Sequence, residues 1–168
     1  MLEWTEVRVV DAADLLLVAS ASGIRAIEFH PQPAPECQRN DRNPLLLEAE
    51  RQLRAYFAGA LREFLLPLDI EGTDFQKRVW GQVSAIPYSE TRSYSQIATA
   101  IGSPRAVRAV GAANGANPVP IVVPCHRVIG ANGKLVGYGG GLAMKKRLLE
   151  LEGCTTMSFP TIEPRAIE

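Results

Sequence analysis

The sequence predicts an α+β protein in two parts. The first is a small N-terminal α/β domain with a three-stranded antiparallel sheet, residues 1–70. The second is a mainly helical domain of the winged helix-turn-helix type, residues 71–168. Three observations predict this. Short Val-, Ile- and Leu-rich segments separated by turn residues crowd the N-terminus. Beyond Thr73, apolar residues recur at helical spacing, and two of the helical segments are separated by a glycine turn. The acidic and basic residues are also segregated along the chain, which marks the second part as chemically distinct.

In order along the chain, Glu3–Val10, Leu15–Ala19 and Gly23–Phe29 read as the three strands, with turns at Asp11–Asp14 and Ser20–Gly23. His30-Pro31-Gln32-Pro33-Ala34-Pro35 cannot form a regular element and reads as a loop. Leu46, Leu47, Leu53, Tyr56 and Phe57 predict a helix over Pro44–Ala58, with proline in the first turn and Gly59 after the last. A boundary falls near Pro67–Thr73. Thr73 then caps a helix over Asp74–Ala85, with Phe75, Val79, Trp80 and Val83 on one face. A short helix over Ser93–Gly102 follows. Ser103 as N-cap and Pro104 at the first helical position begin another, to about Ala113, so the helix-turn-helix occupies about 93–114. Leu142–Leu151 is the last helical stretch.

No run of residues approaches the ~20 apolar positions a membrane span needs, and the acidic start Met1-Leu2-Glu3-Trp4-Thr5-Glu6 lacks the pattern of a signal peptide. The expected setting is soluble and intracellular: cytoplasmic, and nucleoid-associated if bacterial. Three cysteines, Cys37, Cys125 and Cys154, argue against a disulfide framework and leave room for a reactive thiol. Net charge is zero, yet Thr91–Leu149 contains no Asp or Glu while carrying Arg92, Arg105, Arg108, Arg127, Lys134, Lys145, Lys146 and Arg147. Such a stretch predicts an electrostatic footprint for phosphate.

The second helix of the pair is dominated by Ala106, Val107, Ala109, Val110, Gly111, Ala112 and Ala113. A helix reading base edges offers several long polar side chains; this one offers Arg105 and Arg108. Small residues would let its backbone approach a groove closely while an arginine enters the base stack, which suits binding with little sequence preference. A buried, alanine-rich packing helix has the same composition, and both readings stand at this point.

Pro124-Cys125-His126-Arg127 holds the candidate chemistry. A thiol is nucleophilic as its thiolate and needs a base or positive surroundings. Cys125 has His126 and Arg127 beside it, and Glu150 and Glu152 are the first carboxylates downstream that could orient the imidazole. Residue types and spacing alone leave Cys125 as either a nucleophile or a buried structural cysteine.

Ile121-Val122-Val123-Pro124-Cys125-His126-Arg127-Val128-Ile129-Gly130 resembles the active-site signature of the O6-alkylguanine-DNA alkyltransferases, the methylated-DNA–protein-cysteine methyltransferases. The likeness extends from about Gly72 to Glu152 through Thr73-Asp74-Phe75-Gln76, Val79-Trp80, Ile86-Pro87, Ser93-Tyr94, Ile97-Ala98, Arg108-Ala109-Val110-Gly111, Asn117-Pro118, Gly137-Tyr138 and Leu149-Glu150-Leu151-Glu152. It implies direct-reversal DNA repair: stoichiometric transfer of an alkyl group from O6-alkylguanine to Cys125 after nucleotide flipping, with O4-alkylthymine a second candidate substrate. In that reading Cys125, His126, Glu152, Asn117 and Tyr94 are the catalytic set. Glu152, His126 and a water draw off the thiol proton, and Glu152 favours a protonated imidazole. Asn117 braces the turn before the active site, and Tyr94 helps rotate the nucleotide. DNA contacts fall to Arg108 as the inserted finger, with Arg105, Tyr94, Ala106, Ala109, Ala113 and Arg127. Pro120, Val128, Tyr138, Gly139 and Lys145 line the substrate pocket, where the Cys125 and Val128 carbonyls accept from the guanine amine.

The resemblance also implies no cofactor, and as partner double-stranded DNA containing O6-alkylguanine, bound largely without regard to sequence. The protein is expected to be a monomer when free, with cooperative assembly on DNA left open, and no membrane partner is implied. Some members hold zinc through two cysteines and two histidines in the N-terminal domain; this chain has only His30 and Cys37 there, so no metal is expected. Ser89 and Gly139 depart from the family pattern, glycine being common at the first and serine occurring at the second. Alkyltransferase-like proteins that flag damage without repairing it carry tryptophan where Cys125 stands. A cysteine hydrolase would need an oxyanion hole, and a transcription factor a more polar recognition helix.

Overall fold

The computed structural model describes residues 1–9, 13–29 and 36–154. The expected loop at 30–35, with His30, lies outside them, as do Val10 and part of the expected turn after it. The chain divides into two compact units, Met1–Glu71 and Gly72–Glu168.

In the first unit, β1 (Leu2–Val9), β2 (Ala13–Ala19) and β3 (Ile24–Phe29) form the expected antiparallel meander. Thr5, Val7 and Val9 are buried while Glu6 and Arg8 are exposed, so β1 has one wet face, whereas Leu15–Ala19 of the central β2 are buried throughout. The sheet has a fourth strand that the sequence reading missed, β4 (Cys37–Arg39). It pairs parallel with β1, giving the order β3-β2-β1-β4. Cys-Gln-Arg has neither apolar alternation nor β-branching, so nothing local announces it. Its register is pinned from outside, by Asn40 and Asn43 donating to Glu3 (3.0 and 2.5 Å) and Thr5 to Asp41 (2.7 Å). Helix α1 (Pro44–Phe57) begins on the predicted proline, capped by the Asn43 side chain, and packs Leu46, Ala49, Leu53 and Tyr56 into the core. Cys37 is half-buried in β4.

The second unit is helical, with α2 (Asp74–Ser84), α3 (Tyr94–Ala100), α4 (Val107–Gly115) and α5 (Leu142–Leu151). Thr73 and Ser93 each complete a capping box, with Gln76 and Gln96. Val79, Val83, Ile97, Val110, Leu148 and Leu149 are buried, and Trp80 donates its indole N–H to the Ala113 carbonyl (2.8 Å), tying α2 to α4. Gly102, at φ 74°, turns the chain between α3 and α4.

The second helix of the pair starts later than expected. Ser103-Pro104-Arg105-Ala106 forms a turn closed by Ala106 N–H to the Ser103 carbonyl (2.9 Å), and α4 begins only at Val107. Serine before proline suits the opening of a type I turn as well as it suits a helix N-terminus, and the turn prevails here. Among the described residues no helix is long and apolar enough to cross a membrane.

Candidate active site

The site is assembled from three stretches of the second unit: the turn that follows α4, the end of α5, and the loop after α2. Asn117 braces the turn as expected. Its amide donates to the Val123 carbonyl (2.8 Å) and its carbonyl accepts from Val119 N–H (3.0 Å). Between them Ile121 is held at φ 74° with its side chain buried. A β-branched residue in the left-handed region costs of order 1–3 kcal/mol, so the bracing opposes real strain.

The chain then enters a single 3-10 turn, Cys125–Arg127. A two-residue strand β6 (Val128–Ile129) follows, paired parallel with β5 (Arg92–Ser93). Cys125 and His126 are buried in this turn at 5% and 0% exposure. His126 Nε2 lies 2.9 Å from Glu152 Oε1 at the C-cap of α5, so the histidine and carboxylate singled out in the sequence do meet.

Arg127 departs from its expected role. It is buried, not offered to phosphate: Nε and Nη2 grip the two Glu152 oxygens (2.9 and 2.8 Å) and Nη1 donates to the Ile86 carbonyl (2.7 Å). A buried carboxylate needs compensation of this kind, and the nearest guanidinium supplies it. Ala113 is likewise buried with its carbonyl bound to Trp80, so it belongs to the core rather than to a DNA surface. Arg108 and Ala109 are exposed on α4, while Arg105 (exposed) and Ala106 (half-buried) occupy the turn before it.

Lys145 is fully buried and donates to the carbonyls of Val128 (2.6 Å) and Val136 (3.0 Å); its ammonium lies 5.8 Å from the Tyr94 ring centroid. Tyr94 is buried as well, and its hydroxyl donates to Val136 (3.1 Å). Lysine and tyrosine together therefore pin the segment that carries Tyr138 and Gly139. The Val128 carbonyl expected to face a guanine amine already accepts from Lys145, and that of Cys125 from Asn114 (3.3 Å). Tyr138 and Pro120 are half-buried and Gly139 is exposed. Asn114 was missed in the sequence. The available signal was a polar side chain on the otherwise apolar inward face of α4, beside Val110, Gly111 and Ala113.

Burial governs the charges. It pushes the Cys125 thiol above its ordinary value, against hydrogen bonding from Asn117 and the charge of Lys145. Burial also holds His126 below its usual range, which favours the neutral imidazole, although Glu152 pulls toward the cation as the sequence reading expects. The ammonium of Lys145 is weakened by burial to about 8, and Tyr94 is raised to about 12 by burial and by the charge of Cys125. Burial opposes ionisation of Glu152 too, but hydrogen bonds from His126 and Arg127 hold its carboxyl at about 2. The acid-free stretch is therefore less basic at its surface than its composition suggests, since Arg127 and Lys145 are both inside. What results is a buried thiol, a neutral base oriented by a carboxylate, two buried cations (Arg127 on that carboxylate and Lys145 near the thiol) and a phenol that stays protonated. That constellation fits nucleophilic displacement by sulfur.

Two family models match the chain: the 6-O-methylguanine DNA methyltransferase ribonuclease-like domain over residues 14–70 and the DNA binding domain of the same name over residues 74–154. Among curated proteins, the Methylated-DNA--protein-cysteine methyltransferase of Mycobacterium bovis is 66% identical over 101 residues, which cover 60% of this chain and 61% of that protein. The chain thus matches about three fifths of the length of that mycobacterial relative. The protein of the same name from Methanosarcina mazei is 46% identical over 141 residues, covering 82% of this chain and 89% of that one. A crystal structure of Mycobacterium tuberculosis O6-methylguanine methyltransferase aligns with a TM-score of 0.82 at 47% identity, over 90% of this chain and 93% of that one. A crystal structure of M. tuberculosis OGT in complex with DNA aligns with a TM-score of 0.81 at 46% identity, over 95% and 94% of the two chains.

The Glu152 carboxyl sits well below its ordinary value in the folded chain, so its contribution to stability is present above about pH 4.5 and is lost as pH falls toward about 2. That loss is of the order of 3 kcal/mol. Denaturant unfolding at stepped pH should show it in the native protein and show a flatter acid limb for Glu152→Gln; parallel acid limbs would mean that the carboxylate is not held as described.

Proposed function

Because the chain belongs to the 6-O-methylguanine DNA methyltransferase family, we propose that it repairs alkylated DNA directly, moving an alkyl group from O6 of guanine to Cys125 Sγ in a single irreversible event. The observation that carries this reading is the buried Cys125–His126 turn locked to Glu152 by the 2.9 Å histidine–carboxylate contact.

The thiol is protonated at rest, because burial disfavours its anion. The neutral imidazole takes the proton through a bridging water as the substrate docks, and Glu152 offsets the charge that develops on His126. The ammonium of Lys145 favours the thiolate formed beside it. Sulfur then attacks the alkyl carbon. The S–C bond forms, the C–O6 bond breaks, and the guanine departs with its negative charge relieved by the Tyr94 hydroxyl, which turns from the Val136 carbonyl toward guanine and stays protonated at any ordinary pH. The thiol's proton ends on guanine, which balances the reaction. A thioether has no leaving group that water can exploit, so each protein acts once.

The reactive oxygen of a duplex guanine lies inside the helix, so the nucleotide must be extruded, at a cost of a few kcal/mol. The exposed face of α4 supports that step. Ala109 lets the helix backbone approach a groove closely, and Arg108 is free to fill the gap left in the stack. Arg105 and Arg108 supply phosphate attraction with little base reading. The substrate class extends to O4-alkylthymine if the pocket accepts a pyrimidine. The setting that suits this function is cytoplasmic, on DNA.

The direct test is mass spectrometry after incubation with a duplex containing O6-methylguanine. One added methyl on Cys125 is expected, and none for Cys125→Ala, which should still bind DNA because its phosphate contacts lie elsewhere. Stoichiometric methylation of the alanine variant would overturn the assignment.

Arg108→Ala should slow repair of duplex DNA far more than reaction with free O6-alkylguanine base, which needs no flipping. Equal losses on both substrates would place Arg108 in the chemistry or the fold.

Alkylation adds carbon to a slot in which Cys125 is 5% exposed and Val128 is fully buried. Overpacking of this kind costs roughly 1–3 kcal/mol, and each kcal/mol lowers the melting midpoint by about 2–4 °C in a chain of this size. The methylated protein should therefore melt several degrees lower than the unmodified one, and a benzylated form lower again. Identical midpoints would mean a roomier slot.

A further inference from the structure

The Pro87–Glu90 turn carries a serine where the backbone favours glycine. Ser89 sits at φ 67°, in the left-handed region that residues with a Cβ rarely occupy. The turn's own closure does not use the serine side chain: Glu90 N–H donates to the Pro87 carbonyl (3.1 Å). The hydroxyl donates instead to the backbone carbonyl of Glu152, 63 residues further along the chain. Two further bonds join the same segments. The Tyr88 hydroxyl donates to the Leu151 carbonyl and the Cys154 thiol to the Ser89 carbonyl, both at 3.4 Å. Arg127 closes the assembly from the other side, with Nη1 on Ile86 and its guanidinium 5.7 Å from the Tyr88 ring centroid.

The last carbonyls of a helix have no partner within it, and the last turn frays unless something outside holds it. Glu152 is the C-cap of α5, and Gly153 behind it turns away at φ 85°. Arg127 holds the carboxylate, and the Glu152 N–H is bonded to the Leu148 carbonyl (3.1 Å), which leaves the Glu152 carbonyl to be held from outside the helix. The Ser89 hydroxyl holds that carbonyl, and the strained φ is the cost of placing it there.

We propose that Ser89 is a positioning residue for the transfer: its hydroxyl anchors the Glu152 backbone so that the carboxylate meets His126 in the geometry that keeps the imidazole a competent base. This rests on the alkyltransferase reading given above. The groups facing His126 are Glu152 from α5, Arg127 and Cys125 from its own turn, and Lys145 from α5. Of these, Glu152 is the one that raises the imidazole's proton affinity, against burial and the two cations. A loosened Glu152 therefore makes His126 a weaker base, and removal of the thiol proton is slower wherever the imidazole is neutral.

The test uses the whole chain, with Ser89→Gly and Ser89→Ala beside the native protein. Single-turnover methyl transfer from a duplex containing O6-methylguanine is followed across pH, together with thermal unfolding and the nitrogen NMR titration of the two histidines, His30 and His126. Both variants should lower the single-turnover rate by up to about threefold, for about half a unit of lost basicity at His126, and should move the rising limb of the pH–rate profile down with the His126 titration. The His126 titration should fall by a similar amount while that of His30 stays put. Stability should part from activity: the glycine variant sheds the backbone strain and should melt above the alanine variant, yet both should show the same kinetic defect. Native rates, profile and His126 titration in the glycine variant would overturn the proposal. If the native protein transfers no methyl group, the alkyltransferase reading fails, and the His126 titration alone still decides whether Ser89 positions Glu152.

Discussion

The Glu152 carboxylate is buried away from bulk solvent, and much of the second unit is arranged around that fact. An ionised carboxylate taken out of water costs several kcal/mol unless charge and hydrogen bonds replace what it lost. Here one oxygen receives His126 and Arg127 and the other Arg127, and the same guanidinium reaches on to the Ile86 carbonyl. One buried charge thereby ties together the end of α5, the 3-10 turn and the loop after α2. The thiol turn lies in the middle of these ties, so Cys125 inherits a fixed position from groups that do not touch it.

Burial then reverses part of the charge logic that composition suggests. A stretch without acids would be expected to lower a thiol's proton affinity, yet Arg127 is committed to Glu152 and Lys145 is itself weakened by desolvation. The site rests neutral at its thiol and imidazole, with Lys145 as the nearby cation. A neutral resting nucleophile in a closed slot is protected from oxidants and stray electrophiles, and its proposed thioether product is neutral as well. In the proposed transfer charge appears only during the reaction, and Glu152 and Lys145 would already be in place to offset it without reorganisation.

Two backbone strains flank this arrangement, at Ile121 and at Ser89, both in the left-handed region. Each is braced by side-chain hydrogen bonds, from Asn117 in the first case and from Ser89 to Glu152 in the second. Strain of this sort persists only where the surroundings over-determine the backbone. Both lie next to the groups that would move if the slot were filled by an alkyl group.

The strands of the meander, α1, the Thr73 cap of α2 and the helix that ends at Glu152 were legible in the sequence. Their signals are local: apolar period, a proline or threonine at a start, a glycine after an end. The motif around Cys125 was legible through its resemblance to a family signature, since residue types and spacing alone left that cysteine open between a nucleophile and a structural thiol. Strand β4 was not legible, because three polar residues pair through an edge whose register is set by Glu3 and Thr5 far away in sequence. The late start of α4 was undecidable locally, since Ser-Pro opens a turn and a helix alike. Tertiary structure alone decided that Arg127 serves Glu152 instead of phosphate, that Lys145 is inside, that Ala113 is core, and that the imidazole is neutral. Each of these depends on which groups share a low-dielectric interior, and desolvation depends on the packed neighbourhood rather than on the order of residues along the chain.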